Sequence, residues 1–268
     1  MNDKIKFIIT PLLALFVSIY LFYVGYVYFN QAEMVFMNAP LSKDYMFDFE
    51  KKFEEKSISS FDGKKQHGLL FKVNEPKGII FYLHGNAGNL ATWGTISEFY
   101  TSLGYDFFIL DYRGFGKSEG QIENEEQVLK DVQIVFDKIT KSYSQKVLIG
   151  YSIGTGIASH LASVRKCTSL ILQAPYANLM KLTESKVPYF PNYLKKFQFE
   201  TDKKWHKITC PIYLFHGDED HLIGLENSIQ LKQYFNPKDH LFVLKQQGHI
   251  GINDNADFQK EIKLLLNN

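Results

Sequence analysis

Apolar residues follow two different patterns along this chain, and the first concerns its N-terminal end. Residues 7–31 contain no Asp, Glu, Lys or Arg, and residues 5–29 are an almost unbroken apolar and aromatic run. A helix of this length measures about 37 Å, enough to cross a bilayer with some tilt. A cleaved signal peptide would have an apolar run of only about 7 to 15 residues, and a buried core helix seldom contains so long an uncharged stretch. We therefore predict a transmembrane anchor over residues 1–31.

The charges on either side of this run predict its orientation. Lys4 and Lys6 lie before it, whereas the chain after it carries Glu33 but no Lys or Arg until Lys43. Because positive charge favours the cytoplasmic side, we expect a cytoplasmic N-terminus and an extracytoplasmic domain formed by residues 32–268.

The second pattern is an alternation of short apolar runs with helix-length segments. The apolar runs cover residues 78–83, 107–110, 146–149, 169–172, 212–215 and 241–244. The helical segments cover residues 91–103, 123–139, 153–164, 225–234 and 255–266. Short, fully apolar runs are typical of strands buried on both faces of a parallel sheet, and each connection is long enough for a right-handed βαβ crossover.

A hairpin and an insert complete the predicted domain. Residues 52–58 and 65–73 flank Asp62-Gly63 and are typical of two antiparallel strands. Residues 176–207 interrupt the alternation with two prolines, seven lysines and seven aromatic residues. We predict an α/β domain with a mostly parallel, doubly wound sheet, an N-terminal β-hairpin and a short lid-like insert at residues 176–207.

The sequence Gly150-Tyr151-Ser152-Ile153-Gly154 lies between a predicted strand and a predicted helix. A serine in this position can form a nucleophile elbow, in which glycines two residues away on each side let a strained turn close. A simple helix-capping turn is the alternative. The choice depends on whether partners for Ser152 lie at the same edge of the sheet.

Candidate partners follow two later strands. His249 comes after the predicted strand 241–244, at the edge where Ser152 lies, whereas His240 precedes that strand and is excluded as a base. The acid should follow strand 212–215, where spacing alone does not choose between Asp218 and Asp220. The order serine, acid, histidine is that of α/β hydrolases.

An oxyanion hole is predicted across the same crevice. Residues 84–89 follow the first parallel strand, and two backbone amides are needed to hold a tetrahedral oxyanion. We assign these to Asn86 and Ile153, with Ala87 as the alternate to Asn86. His84 is assigned a structural role in this loop.

Composition excludes other classes of function. A net charge of +1 gives no basic surface for nucleic acid. Cys167 and Cys210 are too few for a zinc site, and each precedes a predicted strand, which leaves two buried thiols or one disulfide as alternatives. Adjacent residues of 216–221 rarely surround one ion. We expect neither a metal nor a cofactor.

Five motifs resemble those of membrane-anchored α/β-hydrolase-domain proteins, a family that includes depalmitoylases, lysophospholipid lipases and uncharacterised bacterial members. They are HGNAGN at residues 84–89, DYRGFGKSEG at 111–120, GYSIGTG at 150–156, HGDEDHLI at 216–223 and QGH at 247–249. The resemblance implies that Asp220 is the acid of the triad. Asp218 is a departure, because the family commonly has a small polar residue there. A short connection in place of a large cap domain fits residues 176–207.

We therefore expect a serine hydrolase that cleaves carboxylic ester or thioester bonds of acyl or lipid-like substrates, with Ser152, Asp220 and His249 as its catalytic residues. The aromatic and lysine-rich insert suggests an apolar acyl group met at a membrane surface. A serine peptidase on the same fold and a non-catalytic, membrane-tethered binding protein are the alternatives.

Overall fold

A computed structural model describes residues 3–267 of the chain. In that range the strands are β1 (Met37–Asn38), β2 (Phe53–Ser59), β3 (Lys65–Phe71), β4 (Ile79–Leu83), β5 (Ala87–Gly88), β6 (Asp106–Leu110), β7 (Lys146–Tyr151), β8 (Ser169–Gln173), β9 (Ile212–Gly217) and β10 (His240–Leu244). The α-helices are α1 (Asp3–Val35), α2 (Leu90–Trp93), α3 (Ser97–Ser102), α4 (Glu125–Ile139), α5 (Ile153–Val164), α6 (Leu179–Leu182), α7 (Thr201–Lys204), α8 (Glu226–Lys232) and α9 (Ala256–Asn267).

Eight strands form one sheet in the order β10-β9-β8-β7-β4-β6-β3-β2. The strands from β10 to β6 are parallel to their neighbours, and β3 and β2 join antiparallel at one edge, which confirms the predicted sheet and hairpin. Side chains alternate between two cores: Phe81 of β4 packs on one face and Tyr82 on the other. The carboxyl ends of β4, β7, β9 and β10 consequently lie at one edge of the sheet.

The predicted helices match the structure except at residues 91–103. That segment is divided into α2, a 3₁₀ turn at Gly94–Ile96, and α3. The division occurs at Gly94, where the ring of Phe49 packs so closely that a Cβ would overlap it. Local periodicity could not predict this, because Phe49 is distant in sequence.

Helix α1 extends beyond the predicted boundary at residue 31 and ends at Val35. Its segment Phe7–Val35 is long and apolar enough to cross a membrane. Val27 is nevertheless buried against the rest of the protein, and Phe36, directly after the helix, packs against Phe197. The end of α1 therefore contributes to the folded domain and is not a free connection.

The insert at residues 176–207 contains α6, α7 and two 3₁₀ turns, Asn192–Leu194 and Trp205–Lys207. It lies against α1: the Gln31 side chain donates to the Leu194 carbonyl oxygen at 3.0 Å and accepts from the Lys196 amide at 2.8 Å. Its aromatic residues are mostly buried, but Tyr189 and Tyr193 are exposed. The insert thus packs between the sheet domain and the anchor helix.

Candidate active site

Ser152 lies in a strained turn between β7 and α5. Its backbone has φ 52° and ψ −118°, a conformation that L residues rarely adopt. A Cβ on Gly150 would overlap the Gly154 carbonyl, and a Cβ on Gly154 would overlap the Leu83 carbonyl. Both glycines are therefore required for the turn to close, as the elbow pattern predicts.

His249 contacts Ser152 from the loop after β10. Its Nε2 lies 3.0 Å from the Ser152 Oγ, within hydrogen-bond distance. The Tyr151 hydroxyl donates to the His249 carbonyl oxygen, and the two rings pack edge to face with centroids 5.9 Å apart. Burial raises the pKa of Tyr151, so this hydroxyl stays protonated and keeps donating.

Asp220 completes a line of hydrogen bonds. Its Oδ2 lies 2.7 Å from the His249 Nδ1, and its Oδ1 accepts from the Leu222 and Ile223 amides at 3.0 and 2.9 Å. Burial acts to raise the pKa of this carboxyl, but hydrogen bonds from His216, His249 and Ile223 outweigh burial and hold it well below its usual range. Asp220 is therefore ionised wherever a histidine titrates.

Asp218 lies two residues earlier and does not contact His249. Its carboxylate forms an ion pair with Lys245 at 3.2 Å and accepts from the Gln246 amide at 2.8 Å. The two aspartates belong to one turn but point toward different neighbours. Spacing alone could not separate them, because that difference depends on how the turn packs against the end of β10.

The two nominated oxyanion amides lie beside Ser152. Asn86 and Ile153 line one cleft with it, whereas Ala87 belongs to β5 and is exposed. Ile153 opens α5, where a helix has no intrahelical acceptor for its first amides. The Asn86 carbonyl accepts from the Met37 amide at 2.8 Å, so the residues that follow α1 hold this loop.

A buried polar network behind Ser152 is absent from the sequence-based prediction. The Ser152 amide donates to the Gln173 carbonyl oxygen at 2.9 Å. The Gln173 side chain accepts from the Tyr82 hydroxyl at 2.8 Å and donates to the Asn253 Oδ1 at 2.9 Å. The signal in the sequence for this network is the presence of polar residues at predicted core positions, because each buried polar group needs a hydrogen-bond partner.

His84 begins the loop that contains Asn86 and is fully buried. Its Nδ1 is 2.7 Å from the Gly85 carbonyl oxygen, and its ring stacks on Trp93 at 5.7 Å. The Nε2 faces Asp111 at 3.4 Å. These contacts fit a structural role in the loop.

The cleft at Ser152, here called the Ser152 cleft, has a volume of about 330 Å³. Its walls come from the sheet loops, from the insert through Leu179, Leu182 and Thr183, and from α1 through Met34 and Val35. The contribution of α1 was not predicted from the sequence, because hydropathy assigned its apolar residues to a membrane alone.

The two cysteines and the potential metal ligands are the remaining candidate groups in the described part of the chain. Cys167 and Cys210 are free, the first half-buried and the second buried. A hydrogen bond with Cys210, together with burial, raises the pKa of the Cys167 thiol. Among residues 3–267, His, Cys, Asp and Glu side chains form no group of three or more that could hold a metal ion.

Comparisons with known proteins agree with this fold. A family model described as Hydrolase_4, serine aminopeptidase, S33, matches residues 74–199. Lysophosphatidylserine lipase ABHD12 of Macaca fascicularis is 34% identical over 189 residues, which cover 61% of this chain and 47% of the relative. Alpha/beta hydrolase domain-containing protein 17C of Xenopus tropicalis is 28% identical over 177 residues, or 61% of this chain and 54% of the relative. The chain spans about half the length of the curated relatives it matches.

Solved structures show the same architecture. An esterase of Pyrococcus furiosus superposes with a TM-score of 0.70 at 20% identity, covering 86% of this chain and 98% of that chain. Mouse alpha/beta hydrolase domain-containing protein 10 gives a TM-score of 0.61 at 22% identity, covering 80% and 98%.

The chain has the fold of these α/β hydrolases, and the curated relatives that it resembles are named as a lipase and as an alpha/beta hydrolase domain-containing protein. The apolar N-terminal helix and the likeness to lysophosphatidylserine lipases agree with the resemblance to membrane-anchored α/β-hydrolase-domain proteins that the motifs indicate. The names of these relatives, lipase and hydrolase, favour ester hydrolysis over a non-catalytic binding function.

Proposed function

We propose that the chain hydrolyses carboxylic ester or thioester bonds of acyl lipids through Ser152, His249 and Asp220. The observation that carries the proposal is the unbroken line from the Ser152 Oγ to the His249 Nε2 at 3.0 Å and from the His249 Nδ1 to Asp220 at 2.7 Å. A nucleophile, a base and an orienting carboxylate in this geometry are the parts that acyl transfer needs.

In the proposed reaction, the Ser152 Oγ attacks the acyl carbonyl carbon while its proton moves to the His249 Nε2. The oxyanion lies against the amides of Asn86 and Ile153. Collapse of the tetrahedral intermediate expels the alcohol or thiol, which takes its proton from His249 and leaves an acyl-serine. Water then attacks the acyl-serine carbonyl while His249 takes its proton, and His249 returns that proton to the Ser152 Oγ as the carboxylic acid leaves. Asp220 stays ionised and stabilises the imidazolium in both halves.

The proposed substrate is an acyl ester of a membrane lipid. The Ser152 cleft has apolar walls from Met34, Val35 and Leu179, and its rim carries Lys186 and His221. Relatives named lysophosphatidylserine lipase support a lipid with an anionic headgroup. We place the domain outside the cytoplasm, with α1 in the membrane, on the charge asymmetry around α1.

Activity-based labelling of the full-length protein in detergent micelles tests this proposal. A fluorophosphonate probe should label the wild type, and p-nitrophenyl butyrate should be hydrolysed. Ser152→Ala should abolish labelling and lower turnover by about 10⁴-fold or more. Ser163→Ala, further along α5 and outside the cleft, is the matched control and should behave as the wild type. Labelling of Ser152→Ala at the wild-type level would refute the assignment of the nucleophile.

A serine peptidase is the second candidate, favoured by the description of the matching family model as a serine aminopeptidase. The same residues could attack an amide. Comparison of kcat/KM for an aminoacyl p-nitroanilide and for p-nitrophenyl butyrate separates the two. A larger value on the amide would favour the peptidase.

A further inference from the structure

A second cavity lies between the anchor helix and the insert. It has a volume of about 280 Å³ and is here called the α1 cavity. Its apolar lining comes from α1 on one side and from the insert on the other: Val27, Met34, Val35, Val187, Phe190 and Phe197.

The α1 cavity adjoins the Ser152 cleft. Met34, Val35, Thr183 and Lys186 line both spaces, so the two share one boundary. An apolar group attached to a carbonyl at Ser152 would have only this boundary to pass in order to enter the α1 cavity.

The two buried polar side chains in the wall of the α1 cavity, Lys195 and Gln31, have hydrogen-bond partners. The Lys195 Nζ donates to the Met180 carbonyl oxygen at 2.8 Å. The Gln31 side chain is held by the backbone of the insert on both its nitrogen and its oxygen. Because these groups are satisfied, the surface left for a ligand is mainly apolar, which suits a hydrocarbon chain.

The α1 cavity runs toward the part of α1 that can lie in a membrane. From Val35 back to Val27 the helix rises by about 12 Å. Just beyond, the Tyr23 hydroxyl donates to the Pro188 carbonyl oxygen at 2.7 Å and the Tyr20 hydroxyl donates to that of Tyr189 at 3.1 Å. Phe22, which lies between these two tyrosines in the sequence, is 77% exposed.

The part of the insert at residues 189–193 has the composition of a membrane-interface segment. Tyr189 and Tyr193 are exposed there, beside the first exposed apolar turns of α1. Tyrosines concentrate where hydrocarbon meets headgroups. The far end of the α1 cavity is thus next to the level at which a bilayer surface would lie.

We propose that the α1 cavity binds the acyl chain of the substrate, and that the chain reaches Ser152 from the bilayer along the anchor helix. This inference rests on the proposed function, because it needs an acyl carbonyl at Ser152. It defines the substrate as a lipid ester with one long acyl chain, and it makes the last turns of α1 part of the binding site.

A chain-length profile of the full-length protein tests the inference. Val187 lines the α1 cavity but not the Ser152 cleft, so Val187→Trp adds bulk to that cavity alone. Glu33→Trp places the same bulk on the other side of α1. Burying one methylene contributes about 0.8 kcal/mol, or about fourfold in kcat/KM, so exclusion of two or more methylenes gives about tenfold or greater loss. We expect Val187→Trp to lower the ratio of kcat/KM for p-nitrophenyl palmitate to that for the acetate at least tenfold, and Glu33→Trp to leave the ratio unchanged. An unchanged ratio in a folded Val187→Trp protein would overturn the inference.

A labelling experiment on the unmodified chain gives an answer that does not depend on how a variant folds. The probe is a long-chain alkyl fluorophosphonate with a diazirine at the end of the chain. Once attached to Ser152 and irradiated, it should crosslink to peptides that contain Val27 or Val187. Crosslinks confined to the rim at Leu222 would contradict the acyl site while leaving the nucleophile intact. Failure to attach to Ser152 would instead contradict the proposed function.

Discussion

The Met37 amide donates a hydrogen bond to the Asn86 carbonyl oxygen at 2.8 Å, two residues after the anchor helix ends. The same contact places β1 beside β5 and fixes the loop that carries the nominated oxyanion amide. The anchor and the candidate active site are therefore joined by backbone hydrogen bonds rather than by a flexible linker.

Removing this single amide should impair catalysis more than folding. We expect Met37→Pro to lower kcat for p-nitrophenyl butyrate by about tenfold, because the Asn86 amide loses its fixed position, while the free energy of unfolding falls by about 1 kcal/mol. Met37→Ala keeps the amide and should retain both values. Steady-state kinetics and urea unfolding supply the measurements, and equal kcat for the two variants would refute this coupling.

The two aspartates of the β9 loop should differ sharply. Asp220→Asn removes the charge that orients His249 and stabilises the imidazolium, so kcat should fall by about 10⁴-fold. Asp218→Asn removes the ion pair with Lys245, which contributes little, and keeps a side-chain oxygen that can accept from the Gln246 amide. We expect its kcat to stay within about twofold of the wild type. Comparable losses in both variants would contradict the geometry described above.

Stability should rise with pH across the acidic range because of His160. Burial, with the nearby charges of Lys204, Arg165 and Lys207, lowers the pKa of this ring to about 4 from 6.5. Between pH 6.5 and about 4, His160 binds a proton in the unfolded chain but not in the folded chain. The contribution of His160 to the free energy of unfolding is therefore complete above pH 6.5 and declines as pH falls toward 4. The slope from one proton is at most about 1.4 kcal/mol per pH unit, and partial exposure makes it smaller.

His160→Gln should flatten that dependence. Urea unfolding of both proteins at several pH values in this window gives the comparison, and each curve should be referred to its own value at neutral pH. Identical slopes would show that another group is responsible.

Gly154, two residues after Ser152, should not tolerate a side chain. In Gly154→Ala the new Cβ would overlap the Leu83 carbonyl, and the backbone of β4 would have to shift. We expect a loss of about 1 to 3 kcal/mol in unfolding free energy. Gly248→Ala is the control for stability, because a Cβ there meets only the Glu219 carbonyl oxygen at 3.9 Å. Circular dichroism during urea unfolding measures both.

Membrane orientation can be tested with the chain as it stands. A C-terminal alkaline phosphatase fusion should be active and a C-terminal green fluorescent protein fusion dark if the domain lies outside the cytoplasm. Replacing Lys4 and Lys6 with glutamate should lower the phosphatase signal, because these two charges set the predicted orientation. The opposite pattern of fusion activities would reverse the assignment.

Local sequence patterns predicted most of the architecture. The strands that carry Ser152 and His249 are short apolar runs bounded by polar residues, and their order along the chain determines which ends share an edge. Asp220 could not be separated from Asp218 by spacing, since the choice depends on contacts made by the folded turn. The family resemblance assigned Asp220, and in the structure it is the one that contacts His249.

Long-range packing accounts for what the sequence did not reveal. The helix boundary at Val35 has no charge or proline to mark it, and it is set by Phe36 packing against aromatic residues of the insert. The network around Gln173 likewise joins residues from four separated segments. Such features depend on partners that a window of neighbouring residues does not contain.

Helix α1 is continuous from its exposed apolar half to the wall of the Ser152 cleft. When the apolar half is embedded, the rigid helix holds Ser152 at one height above the hydrocarbon. If the proposed function holds, lipids would be selected by the distance of the scissile bond from the end of the acyl chain and from the headgroup. The embedded helix would then set the depth at which a bond is cleaved, a form of selectivity that a freely diffusing esterase lacks.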